Sequence, residues 1–273
     1  MIRLVTGMLL TVVAIYVVLV VAAALFQRRL IYFPTVLPPA LAAREATERG
    51  FVAWRNTAGD VIGWKLPSSE PHIGNVLVVH GNAGSAIDRD YFAHPIHEAA
   101  AVDVYILEYP GYGMRSGSPS ITSLLAAADE AFDLLPTNEP VYVVGESLGT
   151  GVASHLGQTK QGKVAGIALF MPYDNFVSVA QAAMPFLPAA LVLRERYASD
   201  VWLERYRGPI KFILAGADEV IPTRLGQRLY DGYAGPKEIQ VVPGARHNDT
   251  AAQTAQWWKT VFVFWDQNTR RSI

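Results

Sequence analysis

One stretch constrains this chain more than any other: Val141-Tyr142-Val143-Val144-Gly145-Glu146-Ser147-Leu148-Gly149-Thr150-Gly151. Four β-branched or aromatic residues open it and read as a buried strand. Gly-Glu-Ser-Leu-Gly follows, and Thr150–Gln158 is compatible with a helix. Strand, G-x-S-x-G, helix is the context of a nucleophile elbow. The turn is so tight that side chains two before and two after the serine would meet backbone, and Gly145 and Gly149 remove them. Ser147 is then expected in a strained conformation with its hydroxyl above the sheet. The start of the helix aims N–H groups at the same spot, which suits a developing negative charge. The bare motif also fits an ordinary glycine-rich turn, so the rest of the chain must supply the partners.

The surroundings alternate. Phe51–Arg55 and Val61–Leu66 read as a hairpin around Asn56-Thr57-Ala58-Gly59-Asp60. Further strands are expected at Asn75–His80, Val102–Leu107, Val164–Leu169, Ile210–Ala215 and Ile239–Val242. Helices are expected at Ser85–Ala100, Ile121–Leu135, near Arg224–Tyr230, and at Thr250–Trp265. Such alternation predicts a mostly parallel sheet flanked by helices on both faces. Met171–Asp200 breaks it, being too long and apolar for a plain loop. It reads as a small cap insertion, about 171–200, whose Phe176, Met184, Phe186 and Leu187 line an apolar substrate pocket. The rival reading is one core-packing helix with proline-broken ends.

A serine hydroxyl needs a base, and the base an orienting acid. In a sheet of this kind the chain order is Ser, acid, His. Asp218 follows one late strand and His247 the last, both at carboxyl ends, where open α/β sheets build their sites. Ser147, Asp218 and His247 are therefore the candidate catalytic residues. Glu219 is the neighbouring acid, but its side chain should point elsewhere. Asp249 is read as the cap of the final helix. The oxyanion hole is assigned to the N–H groups of Leu148 and Asn82, the latter in His80-Gly81-Asn82-Ala83-Gly84. His94-Pro95-Ile96-His97-Glu98 is not H-E-x-x-H and reads as a surface helix. His155 reads as packed or solvated. Gly111–Gly117 has the wrong spacing for a nucleotide loop, so neither a cofactor nor a metal is expected.

At the other end, Leu4–Phe26 carries no charge. As a helix it would be ~34 Å long, enough to cross a hydrocarbon layer of ~30 Å. A single-pass N-terminal anchor is expected, in preference to a cleaved signal peptide, whose apolar core is shorter. Removing residues 1–30 is expected to release a soluble, active domain. The arginines Arg28 and Arg29 against Arg3 tilt the following domain toward the cytoplasm. The chain divides into an anchor (1–29), a connector (30–50) and a domain (51–273). Tyr32 and Phe33 are expected at the membrane interface. With 273 residues, 51 % of them hydrophobic, the chain can bury a large core. A net charge of −1 gives no electrostatic case for nucleic acid as a partner, and the absence of cysteine removes thiolate catalysis and disulfides. Composition leaves the oligomeric state undetermined.

Several motifs occur together and in order: Leu30-Ile31-Tyr32-Phe33-Pro34 after the anchor, H-G-N-A-G at His80, and Y-P-G-Y-G at Tyr109. G-E-S-L-G at Gly145, P-Y-D at Pro172, D-E-V-I-P at Asp218 and H-N-D-T at His247 complete the set. In these the chain resembles the membrane-anchored α/β-hydrolases of the bud-emergence-like group. It departs from the group's pattern at Met114-Arg115-Ser116 and at Arg246. The resemblance implies the α/β-hydrolase fold with a small cap and an N-terminal transmembrane helix. It also implies a serine hydrolase acting on a small-molecule or lipid-like acyl substrate, an ester or thioester. A peptidase or amidase of the same fold, or a non-catalytic membrane-bound binding protein, are the alternatives. A degenerate binding protein would typically have lost nucleophile, base or oxyanion glycine, and this chain has all of them.

Overall fold

Eight strands form the central sheet: β1 (Val52–Arg55), β2 (Val61–Leu66), β3 (Asn75–Val79), β4 (Asp103–Leu107), β5 (Val141–Glu146), β6 (Val164–Phe170), β7 (Ile210–Ala215) and β8 (Lys237–Val242). The computed structural model describes residues 2–68, 72–136 and 138–269. The spatial order is β8-β7-β6-β5-β3-β4-β2-β1. Strands β3 to β8 pair in parallel, and only the β1/β2 and β2/β4 pairs are antiparallel. Strands β3, β4 and β5 are buried along their whole length, as expected where helices cover both faces. Edge strand β8 is instead interrupted by Lys237, Glu238 and Gln240, which discourage pairing with another sheet.

Alternate strand residues feed two cores. Leu77, Val79, Leu107, Val143 and Leu169 face one side, where α4 (Ile121–Asp133), α5 (Leu148–Thr159) and α9 (Thr223–Gly232) pack through Leu124, Val152 and Leu225. Val76, Val78, Val104, Val144 and Phe170 face the other, against α2 (Pro39–Glu48), α3 (Asp90–Ala99) and α10 (Ala255–Thr269). After β3 the chain turns to β4 on one flank and later to β5 on the other. The carboxyl ends of β3 and β5 therefore bound a topological switch point, where ligands bind in open α/β sheets.

Three local features differ from the sequence expectation. The helix after β3 begins as a 3₁₀ turn, Ala86–Arg89, before α3. The last helix starts at Ala255, not Thr250, because Thr250 spends its hydroxyl on the Met171 sulfur and Thr254 caps the helix by accepting the Trp257 N–H at 3.2 Å. Asp249 consequently caps nothing helical and accepts the Arg246 N–H at 2.8 Å.

The N-terminal helix α1 runs unbroken from Ile2 to Ile31. The segment expected as a connector, 30–50, is packed onto the domain instead: Ile31, Tyr32, Ala42 and Ala46 are buried in its two cores. Tyr32 is 4 % exposed, not interfacial, because its hydroxyl bonds the buried Glu195 carboxylate at 2.6 Å and meets the Tyr197 hydroxyl at 2.9 Å. Phe33–Pro34 then pairs in parallel with Ala83–Gly84, in the loop after β3. Between β6 and β7 the cap comprises α6 (Phe176–Ala183), α7 (Ala189–Val192) and α8 (Ser199–Leu203).

Candidate active site

Ser147 occupies the turn from β5 into α5 with φ 51° and ψ −116°, a left-handed conformation rare for a residue with a side chain. The backbone is held there from both sides: the Ser147 N–H donates to the Phe170 carbonyl, and the Thr150 N–H to the Ser147 carbonyl, each at 2.9 Å. The flanking glycines are required sterically. A Cβ at Gly145 would lie 2.8 Å from the Gly149 carbonyl oxygen, and one at Gly149 would strike the Val79 carbonyl. Strain of this kind persists only where the surroundings over-determine it.

His247, in the loop after β8, brings Nε2 to 3.0 Å from the Ser147 hydroxyl. Its Nδ1 lies 2.9 and 2.8 Å from the two Asp218 oxygens. The Asp218 loop is itself braced, since Oδ1 also accepts the N–H groups of Val220 and Ile221. A carboxylate at Nδ1 keeps the proton there and leaves the Nε2 lone pair facing the hydroxyl. The His247 and Asp218 side chains are 9 % and 2 % exposed, so water competes little for either. Glu219 stands outside this line and accepts the His247 backbone N–H at 3.2 Å. The exposed Arg246 side chain lies 3.5 Å from Glu219.

Asn82 and Leu148 both border the cavity that holds Ser147. Leu148 is the first residue of α5, so its N–H has no carbonyl within the helix to bond. Around Asn82 the loop is pinned: its side-chain amide donates to the Ile31 carbonyl at 2.7 Å, and its carbonyl accepts from Phe33 N–H and the Tyr112 hydroxyl. Its side chain is thus engaged in holding the loop at the cavity's edge.

Sequence reasoning missed what supports this loop. Glu146, the variable residue inside G-E-S-L-G, is buried and accepts from Gly81 N–H at 3.1 Å, Arg89 Nε at 3.1 Å and the Tyr91 hydroxyl. Arg89 passes the connection on to the Ser85 and Ala83 carbonyls at 3.0 and 2.9 Å. Burial alone would raise the Glu146 carboxyl, but the Arg89 charge and these hydrogen bonds outweigh it and hold it below the usual range. The acid beside the serine was visible in the motif; no spacing rule pointed to its arginine. Behind the loop lies His80, fully buried, with a ring nitrogen 3.7 Å from Glu108. Burial lowers His80 to about 3, keeping it neutral, and pushes Glu108 up to about 8.

The cavity beside Ser147 measures about 280 Å³ and is mostly apolar. Phe176, Met184 and Leu187 line it, as expected of the cap, together with Val179 and Leu193. Phe186 does not: it is 63 % exposed, because neighbouring residues of the Pro185–Pro188 turn face opposite ways and Leu187 takes the inward position. Part of the wall was not expected at all. Ala23, Gln27, Leu30 and Ile31 of α1 line the same cavity. Of the remaining histidines, His155 bonds Asp129 at 2.8 Å and packs on Trp202, away from Ser147. Among the described residues no cluster of three or more His, Asp or Glu could hold a metal ion.

A mostly parallel sheet with a strained serine at its switch point, an acid and a histidine after the last two strands, and a cap over an apolar cavity define the hydrolase class of α/β protein. Residues 76–260 match the alpha/beta hydrolase family, and the chain belongs to it. An uncharacterized protein of Mycobacterium tuberculosis is 34 % identical over 230 residues, covering 82 % of this chain and 81 % of its own length. The protein bem46 of Schizosaccharomyces pombe is 26 % identical, over 67 % of this chain and 64 % of its own. The lysophosphatidylserine lipase ABHD12 of Xenopus tropicalis is 28 % identical, over 72 % of this chain but only 58 % of its own. Among solved structures, the monoacylglycerol lipase of Paleococcus ferrophilus superposes with a TM-score of 0.55 at 18 % identity, over 76 % of this chain and 97 % of that one, which establishes the shared fold.

Proposed function

We propose that this protein is a membrane-anchored serine hydrolase that cleaves acyl esters or thioesters through an acyl-enzyme on Ser147. The observation that carries the reading is the 3.0 Å approach of His247 Nε2 to the Ser147 hydroxyl at the mouth of an apolar cavity. His247 takes the hydroxyl proton as Ser147 attacks the acyl carbonyl, and Asp218 stabilises the imidazolium so formed. Leu148 and Asn82 N–H groups receive the oxyanion. His247 then returns the proton to the leaving alcohol or thiol, and water, activated by the same histidine, releases the acid.

A cavity walled by Phe176, Val179, Met184 and Leu187 suits one acyl chain, each buried methylene contributing ~0.8 kcal/mol. Two similar proteins are named for lipids that carry a single acyl chain, a lysophosphatidylserine and a monoacylglycerol, which favours monoacyl esters as substrates here. The N-terminal helix fits a single-pass anchor by length and apolarity. Labelling with a fluorophosphonate tests the chemistry. Wild-type protein should react and folded Ser147→Ala should not; equal labelling of the two would refute the assignment. A panel of acyl esters, thioesters and amides then tests the bond cleaved, and turnover of amides alone would move the reading to a peptidase or amidase.

A further inference from the structure

The cap touches α1 at two heights. At the foot of the helix, the Gln27 side chain accepts the Arg194 N–H at 2.7 Å and donates to the Val192 carbonyl at 3.4 Å. Ten or so residues earlier, the Tyr16 hydroxyl donates to the Phe186 carbonyl at 3.1 Å. Tyr16 lies in the middle of the uncharged stretch Leu4–Phe26, about 15 Å along the helix from Phe26. The tip of the cap therefore stands beside the part of α1 that a bilayer would cover.

Two independent features fit that position. The first is charge. Phe176–Leu193 contains no Asp, Glu, Lys or Arg, and its run ends at Arg194. The uncharged stretch of α1 ends at Arg28. Because Gln27 bonds Arg194, the two apolar runs end at one common level, where exposed Arg29 and Arg194 would meet lipid headgroups. Above that level Leu191 and Phe186 are 83 % and 63 % exposed.

The second feature is the backbone. An irregular turn in water can leave carbonyls to the solvent, whereas hydrocarbon tolerates none unpaired. In Met184–Pro188 every carbonyl accepts a hydrogen bond. Met184 receives Leu187 N–H, Pro185 the Gln181 amide, Phe186 the Tyr16 hydroxyl, Leu187 the Ala189 N–H, and Pro188 the Leu191 N–H. The two prolines have no N–H to satisfy, and the Met184 and Leu187 N–H groups donate to the Ala180 and Met184 carbonyls, so the Phe186 N–H is the one group of this turn without a protein acceptor among the described residues.

We infer that the cap tip is immersed in the leaflet nearest the domain, the one α1 leaves at Arg28, with Phe186 deeper than Leu191, and that the cavity opens to that leaflet. Ala23 of the membrane-crossing stretch and Ser147 line one continuous cavity. The substrate is then an acyl lipid resident in the leaflet, whose chain enters between α1 and the cap without passing through water. This inference rests on the anchor reading above and deepens it.

The test uses the full-length Ser147→Ala protein, so that insertion is read without reference to hydrolysis. The chain has no cysteine, so one introduced thiol takes one label. Val13→Cys on α1, Phe186→Cys and Leu191→Cys on the cap, and Val263→Cys on α10 all replace exposed side chains. Each is labelled with bimane in phosphatidylcholine vesicles and quenched either by a phosphatidylcholine carrying a mid-chain nitroxide or by aqueous iodide. The expected result is nitroxide quenching at Val13, Phe186 and Leu191, stronger at Phe186 than at Leu191, and iodide quenching at Val263. If Val13 responds to nitroxide while Phe186 and Leu191 respond to iodide, the anchor stands and the immersed cap is overturned. If neither quencher reaches Phe186, another protein surface covers the tip and the inference also fails. If Val13 itself responds only to iodide, anchor and immersed cap fall together.

Discussion

Gln27 and Arg194, 167 residues apart, are joined by a 2.7 Å hydrogen bond from the Arg194 N–H to the Gln27 side-chain oxygen. One residue further on each segment, Arg28 meets Glu195 at 2.8 Å, and Glu195 also accepts the Tyr32 hydroxyl and the Ile121 N–H. The N-terminal helix is thus a wall of the cavity and not a detachable stalk. Removing residues 1–30 should still yield protein that turns over acetyl esters, but the rise in kcat/KM with chain length should be lost. An ester series run on both proteins measures this. Unchanged preference for long chains in the truncated protein would show that α1 contributes nothing to the acyl site.

Ser147→Ala, Asp218→Asn and His247→Ala should each lower turnover on the order of 10³-fold or more. The effects should not add, because the three side chains act as one unit. Kinetics of the single and double variants, with circular dichroism as a folding control, provide the measurement. Additive losses would argue against a shared step.

Arg89 touches no cavity atom, yet through Glu146 and the Ser85 and Ala83 carbonyls it holds the loop that carries the Asn82 N–H. Arg89→Met should lower kcat by about 10²-fold, the scale of losing one oxyanion donor, with KM nearly unchanged. A drop confined to KM would mean the pair positions substrate instead.

Glu108 gives a pH signature. Burial raises its carboxyl from 4.5 to about 8, so between these values the native state keeps a proton that the unfolded chain releases. Stability should therefore fall as pH rises through that window. His80, lowered from 6.5 to about 3, contributes the opposite slope, which is complete above 6.5. Of these two groups only Glu108 acts between 6.5 and 8, and Glu108→Gln should lessen the fall in melting temperature there. A variant with the wild-type slope would remove Glu108 as its source.

Within the cap, Met184→Trp and Leu187→Trp fill the cavity and should shift the preferred acyl chain to shorter lengths. Phe186→Ala, outside the cavity, should leave chain-length preference on soluble esters unaltered. A shift caused by Phe186→Ala and none by Met184→Trp would reverse the inside and outside of this turn.

Local signals explain what could be read in advance. Short runs of β-branched and aromatic residues marked the strands, and glycines two residues either side of Ser147 marked a turn that leaves no room for a Cβ. Chain order then singled out Asp218 and His247, which the fold brings within 3.0 Å of their neighbours. The α1 wall was illegible because Gln27 and Arg194 have no shared pattern in sequence; their contact exists only after the cap has folded back. Tyr32 was misread for the same reason: an aromatic ring beside an apolar helix looks interfacial until the buried Glu195 is seen opposite it. Phe186 and Leu187 are equally apolar, and only the Pro185–Pro188 turn decides which of them faces inward.

A flexible tether of n residues lets a domain roam over roughly 5–6 Å × √n. Here n is zero: α1 runs without a break to Ile31, and Tyr32 is already buried. The domain is accordingly tied to its helix by packing and hydrogen bonds and not by a free tether. Under the proposed hydrolase reading, selection among substrates would be made by position as well as by shape, since the bond to be cleaved must present itself at the level of Ser147.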